Sequence, residues 1–365
     1  MAHVLVLDAH LRPSLAIIRS LGRRGFHVTT ASERFFPMGP LSKYSRRNFL
    51  LPNPQKHSAR YLDSLVKILQ NNSYDCVFVS HTSTAYLLAR HQQKLSLYTK
   101  IPTPCSEVFE IAYQKEKTLK KARELGIPVP KTYGTDEVQG GDVTYPVIVK
   151  SLRRHGMGIT ICGSASELRR CLHKMTKVHG PCIVQDYIPN GGEIGVYALF
   201  NGRSQPRAAI MQRRMRTYCP YGGISTLRET VRDDSLMHQA LDFLQRLSWT
   251  GVAMVEFRID QRNGIPNLLE INPRFWGSLE LSIYAGIDFP FLLYRMLMEG
   301  DIDPVFAYQV GVKARWWFGD FHQFLFGSGS FDNTKFFSQQ VHDDIISKDD
   351  MLPVVYGSFS LLTRS

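Results

Sequence analysis

Between Val255 and Ser278 the chain carries two glutamates, an asparagine and an arginine, Glu256, Glu270, Asn272 and Arg274, on two stretches that alternate apolar and polar residues. Ala253, Val255, Phe257 and Ile259 form one apolar face of the first stretch, which turns Glu256 to the opposite face. Asn263-Gly264 supplies the residues of a tight hairpin turn, and in the returning stretch Leu269 and Ile271 match the apolar face. Glu270 and Asn272, two residues apart, then point the same way and lie across from Glu256 when the register matches. Three oxygen-bearing side chains on one patch suit a hard cation such as Mg²⁺, which takes carboxylate and carbonyl oxygens together with phosphate and water. Pro273 ends the strand and leaves Arg274 at its tip, where a guanidinium can hold a phosphate or acyl-phosphate oxygen. Glu256 alone reads equally well as a solvated hairpin acid, and it is the packed run Leu-Glu-Ile-Asn-Pro-Arg that makes the patch a site.

The hairpin resembles the metal-binding end of the ATP-grasp superfamily, whose members include biotin carboxylase, D-alanine ligase, D-aspartate ligase and the carbamoyl-phosphate synthetase large chain. Such a chain carries two nucleotide lysines, a glycine loop and an adenine-clasping segment upstream of the hairpin, in that order. Here Gln114-Lys115 opens a helix through Glu124 that ends at Gly126-Ile-Pro-Val-Pro130, and Lys115 takes the position of the first lysine. Tyr145 to Lys150 is an apolar strand closing on a lysine, followed by Gly156 and Gly158. Lys150 takes the position of the second lysine, and the glycines let backbone N–H groups approach phosphate oxygens. Arg153, Arg154 and His155 depart from the glycine-richer pattern of the family. The strand from Cys182 to Pro189 resembles the adenine hinge, which implies Gln185, Tyr187 and Ile188 at the adenine edge and Glu193 on the ribose hydroxyls, where a carboxylate can accept two hydrogen bonds.

From Gln212 to Glu229 the sequence is dense in arginine and aromatic residues around Gly222-Gly223. Arg214, Arg216 and Arg228 are candidates to hold an anionic acceptor substrate. A basic lid or a solvated strand edge would use the same residues.

The elements that must position these groups follow from pattern. His3 to Asp8 reads as a buried parallel strand, followed by a helix from Pro13 to Arg24, a strand at His27 to Ala31, a helix near Ala59 to Gln70 and a strand at Cys76 to Ser80. The expected class is α/β and α+β: a Rossmann-like parallel-sheet domain over residues 1–110, then an ATP-grasp fold over 111–300 in which two α+β subdomains clasp ATP, the lid spanning about 130–190. Residues 301–365 are expected to complete or cover the core, with a strand at Val310 to Phe318 and a run of Phe321, Phe324, Phe326, Phe331, Phe336 and Phe337 that packs or forms a subunit contact. Thr135 to Thr144 reads as the nearest thing to a linker.

Composition agrees with a globular enzyme: 365 residues, 44% hydrophobic, and no apolar run long enough for a membrane span. The net charge of +12 raises nucleic acid as a partner. Several basic clusters, however, coincide with the ATP and acid sites, so nucleotide and carboxylate account for part of the charge and no nucleic acid is expected. Cys76, Cys105, Cys162, Cys171, Cys182 and Cys219 form no C-x-x-C pair and read as reduced thiols of a cytoplasmic protein.

The resemblance implies a carboxylate-amine ligase: Mg²⁺ (or Mn²⁺) on Glu256, Glu270 and Asn272, ATP phosphates on Lys115 and Lys150, and Arg274 and Lys150 assisting phosphoryl transfer to a substrate carboxylate. A small-molecule acid and an amine are the implied partners, with a homodimer as a possible assembly. A bicarbonate-activating carboxylase or carbamoyl-phosphate-type enzyme is the second reading, and a nucleotide-binding regulatory protein without turnover the third.

Overall fold

β1 (His3–Val6) is apolar throughout its buried part, and its two faces enter different cores: Val4 and Val6 one, Leu5 the other. A strand buried on both faces belongs in a parallel sheet covered by helices. It lies inside a four-stranded parallel sheet with β2 (His27–Ser32), β3 (Ser45–Leu50) and β4 (Cys76–Phe78), in the order β3-β2-β1-β4. Helices Arg12–Gly22 and Ser58–Asn71 cover it. The strand order reverses between β1 and β4, which opens a crevice at their carboxyl ends. The computed structural model describes residues 2–152, 159–219, 222–326 and 341–356.

The second sheet is small and antiparallel, in the order β5-β8-β6-β7, from β5 (Thr132–Tyr133), β6 (Val147–Ser151), β7 (Ile159–Cys162) and β8 (Cys182–Asp186). Helix Ala165–His179 packs on it, its first turn capped by Ser164, whose hydroxyl accepts the Glu167 N–H. The stretch read as a linker holds a short helix, Thr135–Gly140, because the Glu137 carboxylate folds back to accept the Gly134 N–H at 2.8 Å.

The third sheet is the body of the molecule, in the order β13-β12-β9-β10-β11-β14-β15. Its strands are β9 (Asn190–Phe200), β10 (Pro206–Cys219), β11 (Gly222–Val231), β12 (Gly251–Asp260), β13 (Pro266–Asn272), β14 (Lys313–Arg315) and β15 (Val341–Asp343). Alternation divides it. Val196, Ala198, Ala253, Val255 and Phe257 face helix Asp234–Arg246, whereas Tyr197, Leu199, Val252 and Met254 pack toward the N-terminal sheet and its helix. The polar side chains of the second face are therefore gathered at its far end, under the small sheet.

The expected strand from Val310 to Phe318 is confined to Lys313–Arg315, and Trp317 opens helix Trp317–Phe326. Asp343 draws the chain into this turn by accepting the Trp317 N–H at 3.0 Å, and Asp320 on the new helix accepts from Arg216. Phe321 stacks on Trp317 with ring centroids 4.9 Å apart, while Phe324 is largely solvent-facing. Phe331, Phe336 and Phe337, and the side chain of Phe326, lie outside the described residues.

β15 and the acidic segment after it tie the C-terminal region back to the start of the chain. Asp344 accepts from Arg12 and Arg228, each at 2.5 Å, and Asp350 accepts from Arg19 Nε at 2.9 Å, Ser42 Oγ at 2.7 Å and the Lys43 N–H at 3.0 Å. Arg19, Arg228, Asp344 and Asp350 are all buried, so these are interior ion pairs with most of their hydrogen-bonding capacity used.

Candidate active site

Strand pairing builds the site in rows. Glu256 on β12 stands opposite Glu270 on β13 and Gly195 on β9; in the next row, Glu193 on β9 lies between Arg214 of β10 and Arg258 of β12. Gly195 keeps the first row open, since a Cβ there would lie 2.7 Å from the Tyr197 hydroxyl. The register slips between Glu256 and Phe257, leaving Leu269 as an extra residue in β13. In consequence Leu268 enters the core with Ile271, and Leu269, expected there, faces the cleft with Glu270 and Asn272.

Every carboxylate in these rows has a cation. Asn272 Nδ2 donates to Glu256 Oε1 at 3.0 Å and to Glu270 Oε1 at 3.1 Å, joining the pair. Lys115, at the start of helix Lys115–Glu124, lies 2.9 Å from Glu270 Oε2. Arg214 donates to Glu193 Oε2 at 2.9 Å and also to Glu256, and Arg258 donates to the other Glu193 oxygen. Arg274 donates to Asn272 Oδ1 at 3.0 Å and, through Nε, to Thr82 Oγ1 at 2.9 Å, which links the hairpin to the N-terminal sheet. Lys150, at the end of β6, reaches Gln185 Oε1 at 3.2 Å.

Burial sets the electrostatics. The Glu256 carboxyl is raised by burial, and Glu270 and Glu193 push it further while Arg214 pulls it back. Glu193 is lowered: burial works against its charge, but Arg214 and Arg258 outweigh burial. Lys115 is raised despite burial, because Glu270 lies against it. Lys150 is pushed down to about 7 by burial and by the charges of Lys115 and Arg258. An ammonium this depressed stands ready for an anion that would restore its proton.

These groups line one cleft of about 1950 Å³ between the small sheet and the body of the molecule, which also reaches the crevice above β1 and β4. Lys115, Lys150, Glu193, Glu256, Glu270, Asn272, Arg274, Arg214 and Arg228 are on its wall. Gln185, Tyr187 and Ile188 are not on the described wall: Gln185 binds Lys150 from behind, the Tyr187 N–H donates to Pro146 O, and Ile188 is buried. Gly156 and Gly158 lie outside the described residues. The three arginines expected for a substrate acid do not stand open to one. Arg214 is held by Glu193 and Glu256, Arg216 by Asp320 and Arg228 by Asp344, because folding brings carboxylates from other elements onto each. Glu193, expected on a ribose, already spends both oxygens on Arg214 and Arg258.

Arg258 was not singled out from the sequence, although it follows Glu256 by two residues and so shares its face. Thr82, which supports Arg274, carries no local signal at all. Among the described residues no three His, Cys, Asp or Glu side chains converge as a metal cage. The donor set is two carboxylates and one amide, which fits magnesium completed by phosphate and water.

The comparisons agree with this geometry. A family model described as ATP-grasp in the biosynthetic pathway with Ter operon matches residues 179–317, which include the whole central hairpin. The carbamoyl phosphate synthase large chain of Methanothrix thermoacetophila is 24% identical over 230 residues, covering 58% of this chain and 21% of that one. The arginine-specific large chain of Bacillus subtilis is 26% identical over 221 residues, covering 56% of this chain and 19% of that one. The chain thus spans about a fifth of the length of these curated relatives. Among solved structures, biotin carboxylase of Campylobacter jejuni superposes with a TM-score of 0.70 at 14% identity, covering 85% of this chain and 74% of that one. The L-amino acid ligase of Bacillus licheniformis gives 0.64 at 18% identity, covering 84% and 78%. The fold is that of the ATP-grasp structures, and residues 179–317, with the hairpin site, are similar to an ATP-grasp family.

Proposed function

We propose that the protein is an ATP-dependent, ADP-forming ligase that activates a carboxylate as an acyl phosphate and couples it to an amine, with an amino acid as the favoured amine. The observation that carries this is the facing pair Glu256 and Glu270, bridged by Asn272 and flanked by Lys115, Lys150 and Arg274 on one cleft wall. Such an array neutralises charge on a phosphoryl group in transfer, which is most of what a protein contributes to that reaction.

Glu256, Glu270 and Asn272 would hold the magnesium of the nucleotide, the asparagine by turning its amide so that Oδ1 faces the site. Bound magnesium supplies charge neutralisation on the phosphate oxygens. Lys115 and Lys150 bind phosphate from opposite walls, and Lys150 gains a full proton as the anion arrives. Arg274, held by Thr82 and the Phe275 carbonyl as the amide turns, orients the oxygens of the transferred group. The substrate carboxylate attacks the terminal phosphorus and ADP leaves; the amine then attacks the acyl carbon and phosphate leaves. The small sheet, closing on the cleft, excludes water from the acyl phosphate. We place this chemistry in the cytoplasm and expect a homodimer.

Activation of bicarbonate is the second reading, favoured by the similarity to carbamoyl phosphate synthase and biotin carboxylase. Incubation with MgATP and pooled carboxylates and amines separates the two. ADP and phosphate released only when both an organic acid and an amine are present support the ligase, and release driven by bicarbonate alone supports the alternative. AMP and pyrophosphate as products would overturn both.

A further inference from the structure

Nucleotide binding accounts for only part of the basic charge of this chain. Residues 1–110 hold fourteen lysines and arginines against six aspartates and glutamates, a surplus of eight within the net charge of +12. Arg34, Lys43, Arg46 and Arg47 lie exposed on the outer surface of this region. Arg34 donates to the Tyr356 hydroxyl at 3.2 Å, Lys43 stands 5.0 Å from the centre of the Tyr44 ring, and Arg47 donates to Asn72 Oδ1 at 3.2 Å, so each meets a neutral group.

Two segments share this surface. The loop of residues 33–44 runs beside residues 346–356: the Lys43 N–H donates to Asp350 Oδ1 at 3.0 Å, the Tyr44 hydroxyl donates to Asp349 at 2.8 Å, and Met38 packs in one cluster with Val354 and Tyr356. Between these ties large apolar side chains turn outward. Phe35 is 90% exposed and Phe36 61%, and Met351, Leu352 and Val355 are exposed on the other segment, with the exposed Lys348 close by in the chain. The acids of the two segments are already engaged, Asp350 by Arg19, Asp349 by Arg23 and Glu33 by Asn53. What faces outward is therefore an apolar patch set among cations, the composition of a contact surface.

Charge and shape select the occupant. A second copy of the chain, meeting this patch with its own across a two-fold axis, would bring Arg34, Lys43 and Lys348 against the same cations, so like charges oppose that contact. A folded partner would have to supply a pocket for side chains that project as far as Phe35 does. A bilayer needs no pocket: protruding apolar groups enter the boundary between head groups and acyl chains, and flanking lysines and arginines are drawn to anionic lipid.

We propose that the loop 33–44 and the segment 346–356 form a docking surface for an anionic lipid bilayer, in which Phe35, Phe36 and Leu352 enter the head-group boundary while Arg34, Lys43 and Lys348 lie against lipid phosphates. The chain is then a peripheral protein held by two weak signals together, apolar insertion and charge. Arg34, Met38 and Tyr356 also line the cleft, so docking holds one end of the cleft beside the bilayer. This surface is independent of the ligase reading, since neither segment carries a residue of the metal hairpin.

The test sediments the full chain with vesicles of phosphatidylcholine alone and of phosphatidylcholine mixed with phosphatidylglycerol. The unmodified protein should bind the mixed vesicles about tenfold or more tightly than the neutral ones, and added salt should weaken that binding. The paired substitution Phe35→Ser with Phe36→Ser, and the pair Lys43→Glu with Lys348→Glu, should each weaken it about tenfold or more. All four residues are exposed, so the melting temperatures should stay within a few degrees of the unmodified protein. Leu352→Ser repeats the apolar test from the other segment. Failure to sediment with the mixed vesicles overturns the proposal. So does binding that survives both apolar substitutions undiminished, which would make the surface a charge-only contact suited to an acidic macromolecule. A dimer in sedimentation velocity that the phenylalanine substitutions dissociate would overturn it as well, by making the patch a subunit contact.

Discussion

Glu193 and Arg214 stand opposite each other on adjacent strands, 2.9 Å apart, and the same guanidinium continues to Glu256. A residue that looks available for a substrate acid is thus a structural tie between two site carboxylates. Replacing Arg214 with Met leaves Glu193 with Arg258 alone and Glu256 with no cation beside the Asn272 amide, a loss of about 3–5 kcal/mol where one member of an interior ion pair is removed. Glu193, held below its ordinary value against burial by Arg214 and Arg258, contributes stability that is present above the ordinary carboxylate range and lost as pH falls through its depressed folded value. Urea unfolding across the acid range should therefore show the unmodified protein losing stability toward low pH and Arg214→Met losing less, from a lower starting point. Equal stability of the two proteins at neutral pH would refute the tie.

Glu270→Gln tests the metal hairpin. The glutamine keeps the shape and can still accept from Asn272, but it removes the charge that Lys115 and a cation require. ADP formation should fall about a hundredfold or more, with the melting temperature changed by only a few degrees. Turnover near that of the unmodified protein would remove Glu270 from the chemistry.

Much of this hairpin was legible because strand alternation and an Asn-Gly turn are local facts. From them follow the facing glutamates, whose register the structure shows directly. The bulge that exchanges Leu268 for Leu269 was not legible, since nothing in the two residue types distinguishes them. Neither was the fate of the arginines: the partner of Arg216 lies 104 residues away and that of Arg228 lies 116 away, pairings set by sheet order and not by neighbouring sequence. The long strands β9, β10 and β11 were equally hidden, because their polar residues serve a cleft rather than solvent and break the usual apolar pattern. The parallel N-terminal sheet, buried on both faces and written in short apolar runs, was the easiest part to read.

Lys150 makes nucleotide binding proton-linked. In the free protein its ammonium is pushed down to about 7, whereas in the unfolded chain it titrates near 10.5. Between those values the unfolded state holds more protons, so the free protein gains stability as pH rises through that window. Bound phosphate reverses the shift. At pH 8.5 nucleotide binding should take up ~1 proton, visible as calorimetric heats that differ between phosphate and Tris buffers, and affinity should decline as pH rises above 7. Lys150→Met should abolish the buffer dependence; an unchanged dependence would assign the proton to another group.

The C-terminal segment offers a stability test separate from catalysis. Asp350 satisfies Arg19, Ser42 and the Lys43 N–H together, and Arg19 is fully buried in the helix beneath the N-terminal sheet. Asp350→Ala leaves that guanidinium without its carboxylate in the interior, at a cost of about 3–5 kcal/mol. Asp349, exposed and bonded to Arg23, is the control: Asp349→Ala should cost roughly 1 kcal/mol or less, as surface pairs do. Denaturant midpoints for the two variants should therefore separate clearly. If both substitutions cost the same small amount, the acidic segment does not anchor the C-terminal region to the first helix as the buried ion pairs require.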